Sequence, residues 1–303
     1  MADYTVLYNP CASGGHGREN ARQIKRFLPG DELDFYDMTQ IGDYSAFFAS
    51  VPKESRVVIS GGDGTLNRFV NDTAGMCIPH HIYYYAAGSG NDFLRDVGRR
   101  KEDGPFLIDL CLQDLPQVTV KGRTYQFING VGYGIDGYCC QTGDSLREKT
   151  GKPVNYAAIA VKGLLFHYKP TNAVITVDGK RHRYRNVWLA PTMNGRFYGG
   201  GMMPTPDQDR LNRKHTVSTL VLYGSGKLKT LAVFPSIFKG KHVRHTEMAE
   251  ILTGHEITVE FDRPTPIQID GETISGVSAY HVSSPGRISA LPASCAYACC
   301  EDP

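Results

Sequence analysis

The chain has 303 residues, with 33 basic and 31 acidic side chains and a formal net charge of +2 at pH 7. This length suffices for one large domain or two ordinary ones, and the charge balance gives no field that would attract nucleic acid. The start of the chain has no apolar leader, and its most apolar stretch, AAIAVKGLLF, is short and interrupted by Lys162. We therefore expect a cytoplasmic protein without a membrane span.

The first 120 residues alternate strand-like and helix-like patterns. Strand-like runs are YTVLYN, ELDFYDM, RVVIS and HIYYYAA, and the helical patterns between them are RENARQIKRFL and TLNRFVNDTAG. Such alternation is typical of βαβ units, so it predicts a parallel sheet with helices on its faces.

Three glycine-rich segments follow predicted strands in this part: YNPCASGGHG, SGGDGTLN and AAGSGND. Glycine bares the backbone, and bare N–H groups can cradle an anion. Because ligands of open α/β sheets bind beyond the carboxyl ends of the strands, we expect the loops to meet at one edge. One such loop alone is as compatible with an ordinary turn as with a phosphate site. Three such loops together, two of which carry an aspartate, favour a phosphate-binding site.

The two aspartates, Asp63 and Asp92, suit the Mg²⁺ ion that accompanies a nucleoside triphosphate, because Mg²⁺ prefers carboxylate, water and phosphate oxygens. A P-loop motif, a protein-kinase catalytic loop and a dinucleotide fingerprint are all missing from the sequence. Those three solutions to nucleotide binding are therefore excluded.

Beyond residue 120 short alternating strands predominate, among them TYQFINGVGYG, AVITVDGKRHRYRNVWLAP, HTVSTLVLYG, EITVEF and PIQIDGETI. They predict an antiparallel β-sandwich interrupted by helices near YCCQTGDSLREK, NYAAIAVKGLLFHYK and GKLKTLAVFPSIF. We expect an α/β nucleotide-binding domain over residues 1–122, to which residues 287–303 return, and a β-rich substrate domain over residues 123–286. The cleft between them is the expected place for the site.

Eight cysteines show no disulfide spacing. The cluster CAYACC, with Cys295, Cys299 and Cys300, fits an ordinary tail better than a metal or redox site. Its role is left open.

Eight segments follow one another along the chain: SGGDGTLN, GSGNDF, PFLIDL, FINGVGYGIDG, LLFHYKP, NGRFYGGGMMPTP, KGKHVRH and IQIDGETI. Their residues and their order resemble the diacylglycerol kinase catalytic family in its bacterial lipid kinase form. Sphingosine kinases are relatives of that family. The resemblance runs through nearly the whole chain. It implies a nucleotide domain of the NAD kinase and diacylglycerol kinase type followed by a β-sandwich, with transfer of the γ-phosphate of MgATP to a lipid hydroxyl. Diacylglycerol is the expected lipid and phosphatidic acid the expected product.

Carried over by position, the resemblance assigns three groups of residues. The nucleotide would be held by Asn9, Ser13, Gly14, Gly61, Gly62, Gly64, Thr65, Gly88, Ser89, Gly90 and Asn91. Mg²⁺ and its waters would be held by Asp63, Asp92 and Asp109. Asp270 would be the general base for the lipid hydroxyl, with Glu272 beside it. Without the resemblance, an Asp-Gly between two strands is more often a hairpin turn.

Three positions depart from the family pattern. Arg68 replaces a common Glu, and we expect it to face solvent. Residues 211–216, LNRKHT, replace an acidic Asp-Asp-Gly segment that can bind a structural Mg²⁺, which puts that second metal site in doubt. In AAGSGND, the proline that relatives commonly have before the glycine is absent. We expect this change to have little effect on the loop.

The lipid side of the sequence leaves alternatives open. The basic clusters at residues 181–185 and 239–245 suit either anionic headgroups or the protection of a strand edge. We expect ATP and a lipid at the inner membrane surface as partners, and a homodimer is left open. A soluble-substrate kinase such as an NAD kinase, which shares GGDGT, and a catalytically silent lipid or nucleotide sensor are the alternative functions.

Overall fold

A computed structural model of the chain describes residues 3–88, 90–150, 154 and 156–285. Ser89 and residues 287–303, including the three cysteines of the tail, lie outside the described residues. The chain divides after Gln113 into two compact units.

The first unit is built on a sheet with the strand order β2-β1-β3-β4-β5. Its strands are β1 Tyr4–Tyr8, β2 Leu33–Asp37, β3 Arg56–Gly61, β4 Ile82–Ala86 and β5 Phe106–Leu107. Its helices are α1 Ala12–Gly15, α2 Gly17–Arg22, α3 Tyr44–Ser50, α4 Asp63–Asp72, α5 Asp92–Asp96 and α6 Asp109–Leu112, with 3-10 turns at Gln23–Arg26, Met38–Gln40 and Lys101–Asp103. β1 to β4 run parallel, as the sequence predicted, and β5 runs antiparallel to β4.

Apolar burial explains this arrangement. β3 is buried at every position after Arg56, as a central parallel strand covered on both faces should be. α4 buries Leu66, Phe69 and Val70 on one face. The strand and helix that flank the second glycine segment are therefore fixed by packing.

The second unit consists of antiparallel strands. They are β6 Gln117–Val120, β7 Arg123–Gln126, β8 Gly130–Tyr133, β9 Thr171–Val177, β10 Lys180–Val187, β11 Thr192–Met193, β12 Val217–Leu222, β13 Ala249–Gly254, β14 Glu256–Ile269 and β15 Glu272–Ser283. Its helices are α7 Ile135–Thr150, α8 Tyr156–Lys162 and α9 Lys227–Val233, with a π-helical turn at Gly163–His167 and 3-10 turns at Phe234–Lys239 and Lys241–Arg244.

The long strand β14 ties the second unit together. Its first half pairs with β9, its last residues pair with β8, and β15 runs beside it through two shifts of register. β6 and β7 form a hairpin that joins this sheet through β15, so the division of the chain precedes both strands. The predicted α/β and antiparallel β architectures are confirmed. No helix in the described ranges is both long and apolar enough to cross a membrane.

Candidate functional site

The second and third glycine segments touch through their backbones. The N–H groups of Ala87 and Gly88 donate to the carbonyl oxygen of Gly61 at 2.9 and 3.1 Å. A Cβ atom on Gly88 would lie 2.7 Å from the backbone nitrogen of Gly62. Only glycine fits at Gly88, because a side chain there would force the two loops apart.

Side chains of the first glycine segment and of α2 contact the third segment. The Ser13 hydroxyl donates to the carbonyl oxygen of Ala87 at 2.7 Å, and the Asn20 amide donates to the same oxygen at 3.3 Å. Asn9 closes the turn after β1, since its Oδ1 accepts the Cys11 N–H at 3.0 Å. The three loops therefore meet at the carboxyl edge of β1, β3 and β4, which is the convergence that the sequence predicted.

Several glycines of these loops face open space. A Cβ atom at Gly14, Gly15, Gly64 or Gly90 would meet no atom of the described residues within 4 Å. Thr65, by contrast, is only 4% exposed and packs against Gly61 in the first turn of α4. The backbone is therefore open to approach at these four glycines.

Asp63 links the second loop to the third. Its two carboxylate oxygens accept the N–H groups of Asp92 and Phe93 at 2.8 and 3.1 Å, which caps the first turn of α5. In the described ranges, no group of three or more His, Cys, Asp or Glu side chains could hold a metal ion by itself. The carboxylates of Asp63 and Asp92 have the oxygen chemistry that Mg²⁺ prefers, so they fit an ion held largely by phosphate and water.

Asp109 lies at the opposite end of β4. One of its carboxylate oxygens accepts the N–H of Ile82, the first residue of β4, at 2.7 Å. The other lies 2.6 Å from Nδ1 of His81. Since the glycine loops follow the last residue of β4, the strand separates Asp109 from Asp63 and Asp92. The structure does not bring the three predicted metal ligands together.

In the second unit, Asp270 and Gly271 form the two-residue turn between β14 and β15. Their φ angles of 46° and 97° are those of a tight hairpin turn. The Asp270 carboxylate accepts three backbone N–H groups, from Ile128 at 2.6 Å, Asn129 at 2.8 Å and Gly130 at 2.9 Å. Glu272 is exposed at the start of β15, opposite Ile269. Asp270 is therefore both a hairpin-turn residue and a residue whose carboxylate is held in place by hydrogen bonds.

Two polar side chains hold the segment that supports Asp270. Arg210 donates to the carbonyl oxygen of Ile128 at 3.2 Å and to Oδ1 of Asn129 at 3.1 Å. The Asn194 side chain also donates to the Ile128 carbonyl, at 3.0 Å. Sequence reasoning missed both residues, because neither stands in a glycine loop or beside the DGE motif. Asn194 opens the matching block NGRFYGGGMMPTP, which could have drawn attention to it, whereas Arg210 lies outside all of the matching blocks.

Asp136, in the first turn of α7, is 6% exposed. Burial raises the pKa of its carboxyl group to about 6, against smaller lowering contributions from the backbone N–H of Gly137 and the side chains of Tyr198 and Gln268. A side chain at position 132 would overlap this carboxylate, which requires glycine there. Asp136 is thus a buried acid whose pKa is raised by desolvation.

The departures from the family pattern have local explanations. Arg68 forms an ion pair with Asp72, one turn on in α4, at 3.2 Å, and its side chain is 47% exposed. Asn212 closes the 211–216 segment, because its Oδ1 accepts the N–H of Thr216 and its amide donates to the carbonyl oxygens of Asp209 and Thr216.

Two family models together match most of the chain. Residues 3–120 match the diacylglycerol kinase catalytic domain, and residues 129–292 match the YegS C-terminal NAD kinase beta sandwich-like domain. The chain belongs to this family of lipid kinases. The three glycine loops lie in the catalytic-domain match and the Asp270 turn lies in the sandwich match.

Relatives agree with this membership. The diacylglycerol kinase of Mycobacterium tuberculosis (strain ATCC 25618 / H37Rv) is 27% identical over 302 residues, which cover 95% of this chain and 92% of the relative. The diacylglycerol kinase of Bacillus subtilis (strain 168) is 23% identical and covers 88% of both chains. A crystal structure of a diacylglycerol kinase from Bacillus anthracis str. Sterne superposes with a TM-score of 0.58 at 20% identity, covering 93% of this chain and 94% of that one. That likeness shows a shared fold.

Proposed function

We propose that this lipid kinase transfers the γ-phosphate of MgATP to the hydroxyl of diacylglycerol and so produces phosphatidic acid. The observation that carries the proposal is the meeting of three bared glycine loops at one sheet edge in a chain of this family. Two relatives that span nearly its whole length are named diacylglycerol kinases, which supports that lipid over other alcohols.

Nucleotide binding is assigned to the first unit. A Cβ atom at Gly14, Gly64 or Gly90 would meet no atom of the described residues within 4 Å, so phosphate oxygens can approach the backbone closely at these positions. The first turn of the ten-residue helix α4 adds the positive end of its dipole. We assign Asn9, Ser13, Thr65 and Asn91 to shaping these loops.

Mg²⁺, when bound with ATP, would neutralise charge on the phosphates during transfer. Asp63 and Asp92 would hold the ion or its waters, in keeping with their oxygen chemistry. Asp109 stays a prediction, and its position at the opposite end of β4 gives it no shared site with the other two within the first unit.

Asp270 is assigned as the general base. A base must point steadily at the hydroxyl proton that it accepts, and three N–H bonds from residues 128–130 fix this carboxylate. As the lipid oxygen bonds to the γ-phosphorus, its proton passes to Asp270 and the bond from phosphorus to the bridging oxygen of ADP breaks. Glu272, two residues on, keeps the surroundings of the base negative.

The test is transfer of radiolabelled γ-phosphate from MgATP to a panel of lipids in mixed micelles. The panel contains diacylglycerol, monoacylglycerol, a sphingoid base and a polyprenol, and NAD is the soluble comparison. Label in diacylglycerol that disappears when Mg²⁺ is chelated is the expected result. Label in another lipid alone would overturn the substrate, and label in NAD alone would move the assignment to a soluble-substrate kinase. Nucleotide binding without any transfer would favour a sensor.

A further inference from the structure

Gln268, near the end of β14, bonds to the hairpin turn that carries Asp270. Its side-chain oxygen Oε1 accepts the N–H of Gly271 at 2.6 Å. That N–H lies inside the turn, because Ile269 and Glu272 on either side of it pair with each other. Gln268 therefore satisfies a donor that the strand ladder does not use. Asp270 has a positive φ of 46°, a conformation that costs free energy outside glycine, so the turn needs such bonds.

The other end of the same side chain faces a buried acid. Since Oε1 accepts the N–H of Gly271, the amide nitrogen Nε2 is the free end of the side chain. Gln268 stands opposite Gly132 of β8. A Cβ atom on Gly132 would overlap Oδ2 of Asp136 and would lie 2.5 Å from Nε2 of Gln268. The carboxylate and the amide therefore share the space that a side chain at Gly132 would fill.

Among the described residues, no cation pairs with Asp136. Both of its carboxylate oxygens are buried, and neither meets a donor of that part of the chain at full hydrogen-bond geometry. The titratable groups that face it are neutral thiols and phenols, whose pKa values are raised by burial: Cys139, Cys140, Tyr168, Tyr198 and Tyr280. Two side chains favour the ionised form of Asp136, those of Tyr198 and Gln268, and Gln268 is the one that also bonds to the turn.

We propose that Gln268 is a positioning residue for phosphoryl transfer, which joins the Asp270 turn to Asp136 and so keeps the base in place. The inference rests on the proposed function, in which Asp270 is the base. A buried acid without a full partner costs free energy, and its use here is to orient the amide. Because an ionised carboxylate only accepts, Asp136 attracts the NH2 group and leaves Oε1 directed at Gly271.

The experiment compares phosphoryl transfer in mixed micelles by wild type, Gln268→Met and Gln268→Glu. Methionine has a similar length but makes neither interaction, so kcat should fall about tenfold or more while the KM for ATP stays at the wild-type value. Gln141→Met and Gln141→Glu are the matched controls, because Gln141 on α7 donates to Ser275 of β15 at 2.9 Å, outside the turn. Both controls should keep the wild-type kcat.

The pH profile separates positioning from a merely structural role. Gln268→Glu keeps an acceptor for Gly271 but faces Asp136 with a second acid. Two carboxyl groups at one place share a proton, since each charge opposes the ionisation of the other. The ratio of its kcat to the wild-type kcat should therefore be highest at about pH 5 and fall toward about pH 8. The ratio for Gln141→Glu should stay level. If Gln268→Met does not fold, this profile carries the test.

Three results would overturn the proposal. These are a wild-type kcat for Gln268→Met, a rise in its KM for ATP that matches the fall in kcat, or a Gln268→Glu ratio that is the same at both pH values. Amide hydrogen exchange separates this inference from the proposed function. In Gln268→Met, the Gly271 amide should exchange about fivefold faster than in Gln141→Met, as the loss of one hydrogen bond allows. If wild type transfers no phosphate while this difference holds, the proposed function fails and the hold of Gln268 on the turn stands. Equal exchange in the two variants would overturn that hold.

Discussion

At the scale of single residues, Asp136 is a carboxylic acid that is buried, and burial disfavours its charged form. Its carboxyl pKa of about 6 in the fold compares with 3.8 for the free side chain, because burial disfavours the ionised form. The folded state therefore bears no penalty below about pH 4, where the group is protonated in both states, and the full penalty above its folded pKa. A shift of this size corresponds to about 3 kcal/mol, of which about half develops between pH 5 and pH 8.

We therefore predict that Asp136→Asn stabilises the protein more at pH 8 than at pH 5. Urea denaturation at both pH values should give a gain in the free energy of unfolding that is about 1.5 kcal/mol larger at pH 8. A gain or loss that is equal at the two pH values would mean that Asp136 titrates normally.

Arg210 permits a second prediction, because it supports Asp270, the proposed base, through residues 128 and 129. Arg210→Met removes both bonds to Ile128 and Asn129, so the N–H groups that hold Asp270 lose their anchor. Misplacement of a reacting group on the ångström scale can cost up to about a hundredfold in rate, and we expect a fall in kcat of at least about tenfold. The KM for ATP should not change, since nucleotide binding is assigned to the glycine loops of the first unit.

Arg210→Lys should restore part of the rate, and the exposed neighbour Arg213→Met should leave it intact. A rise in the KM for ATP without a fall in kcat would contradict the positioning role.

At the scale of elements, the glycines of the loops are of two kinds. Some pack closely against protein atoms, and others face open space that is available to a ligand. Gly88→Ala would press against Gly62, so it should lower both thermal stability and nucleotide affinity. Gly90→Ala meets no described protein atom within 4 Å, so it should lower nucleotide affinity alone, by about tenfold for a lost phosphate contact. Gly42→Ala, also in open space but outside the loops, should change neither.

Calorimetric titration with ATP and a thermal scan of the three variants check this prediction. Normal ATP binding by Gly90→Ala would mean that the open face of the third loop is not the nucleotide floor.

The same loops show what the sequence could predict. Each glycine segment follows a long buried strand, so the strand pattern fixed both its position and the edge that it faces. Asp109 failed to join them because β5, which precedes it, has only two residues and no readable period. Its antiparallel direction sends the chain to the opposite edge. The Arg210 contacts join residues more than eighty positions apart, and no local pattern encodes such a pair.

At the scale of the whole molecule, two Asp-Gly hairpin turns of similar construction lie within the part of the chain that the structure describes. Asp178, between β9 and β10, also has a positive φ, of 47°, and its carboxylate accepts the N–H groups of His255 at 2.9 Å and Glu256 at 2.8 Å. Asp270 and Asp178 are thus alike as turn residues that accept backbone N–H groups, three at Asp270 and two at Asp178. The turn residues of VDGK and IDGE are the same Asp-Gly pair, so turn chemistry does not distinguish Asp178 from Asp270. Only a difference in function can distinguish them.

The last prediction uses this pair as its own control. Asp178→Asn and Asp270→Asn each place an amide against backbone donors, and each should lower the free energy of unfolding by about 1 to 3 kcal/mol. Only Asp270→Asn should abolish phosphoryl transfer, by a factor of at least about a hundred, as expected when a general base is lost. MgATP affinity should stay at the wild-type value in both, because nucleotide binding is assigned to the other unit. If both variants lose transfer in proportion to their stability, Asp270 is a turn residue and the base lies elsewhere.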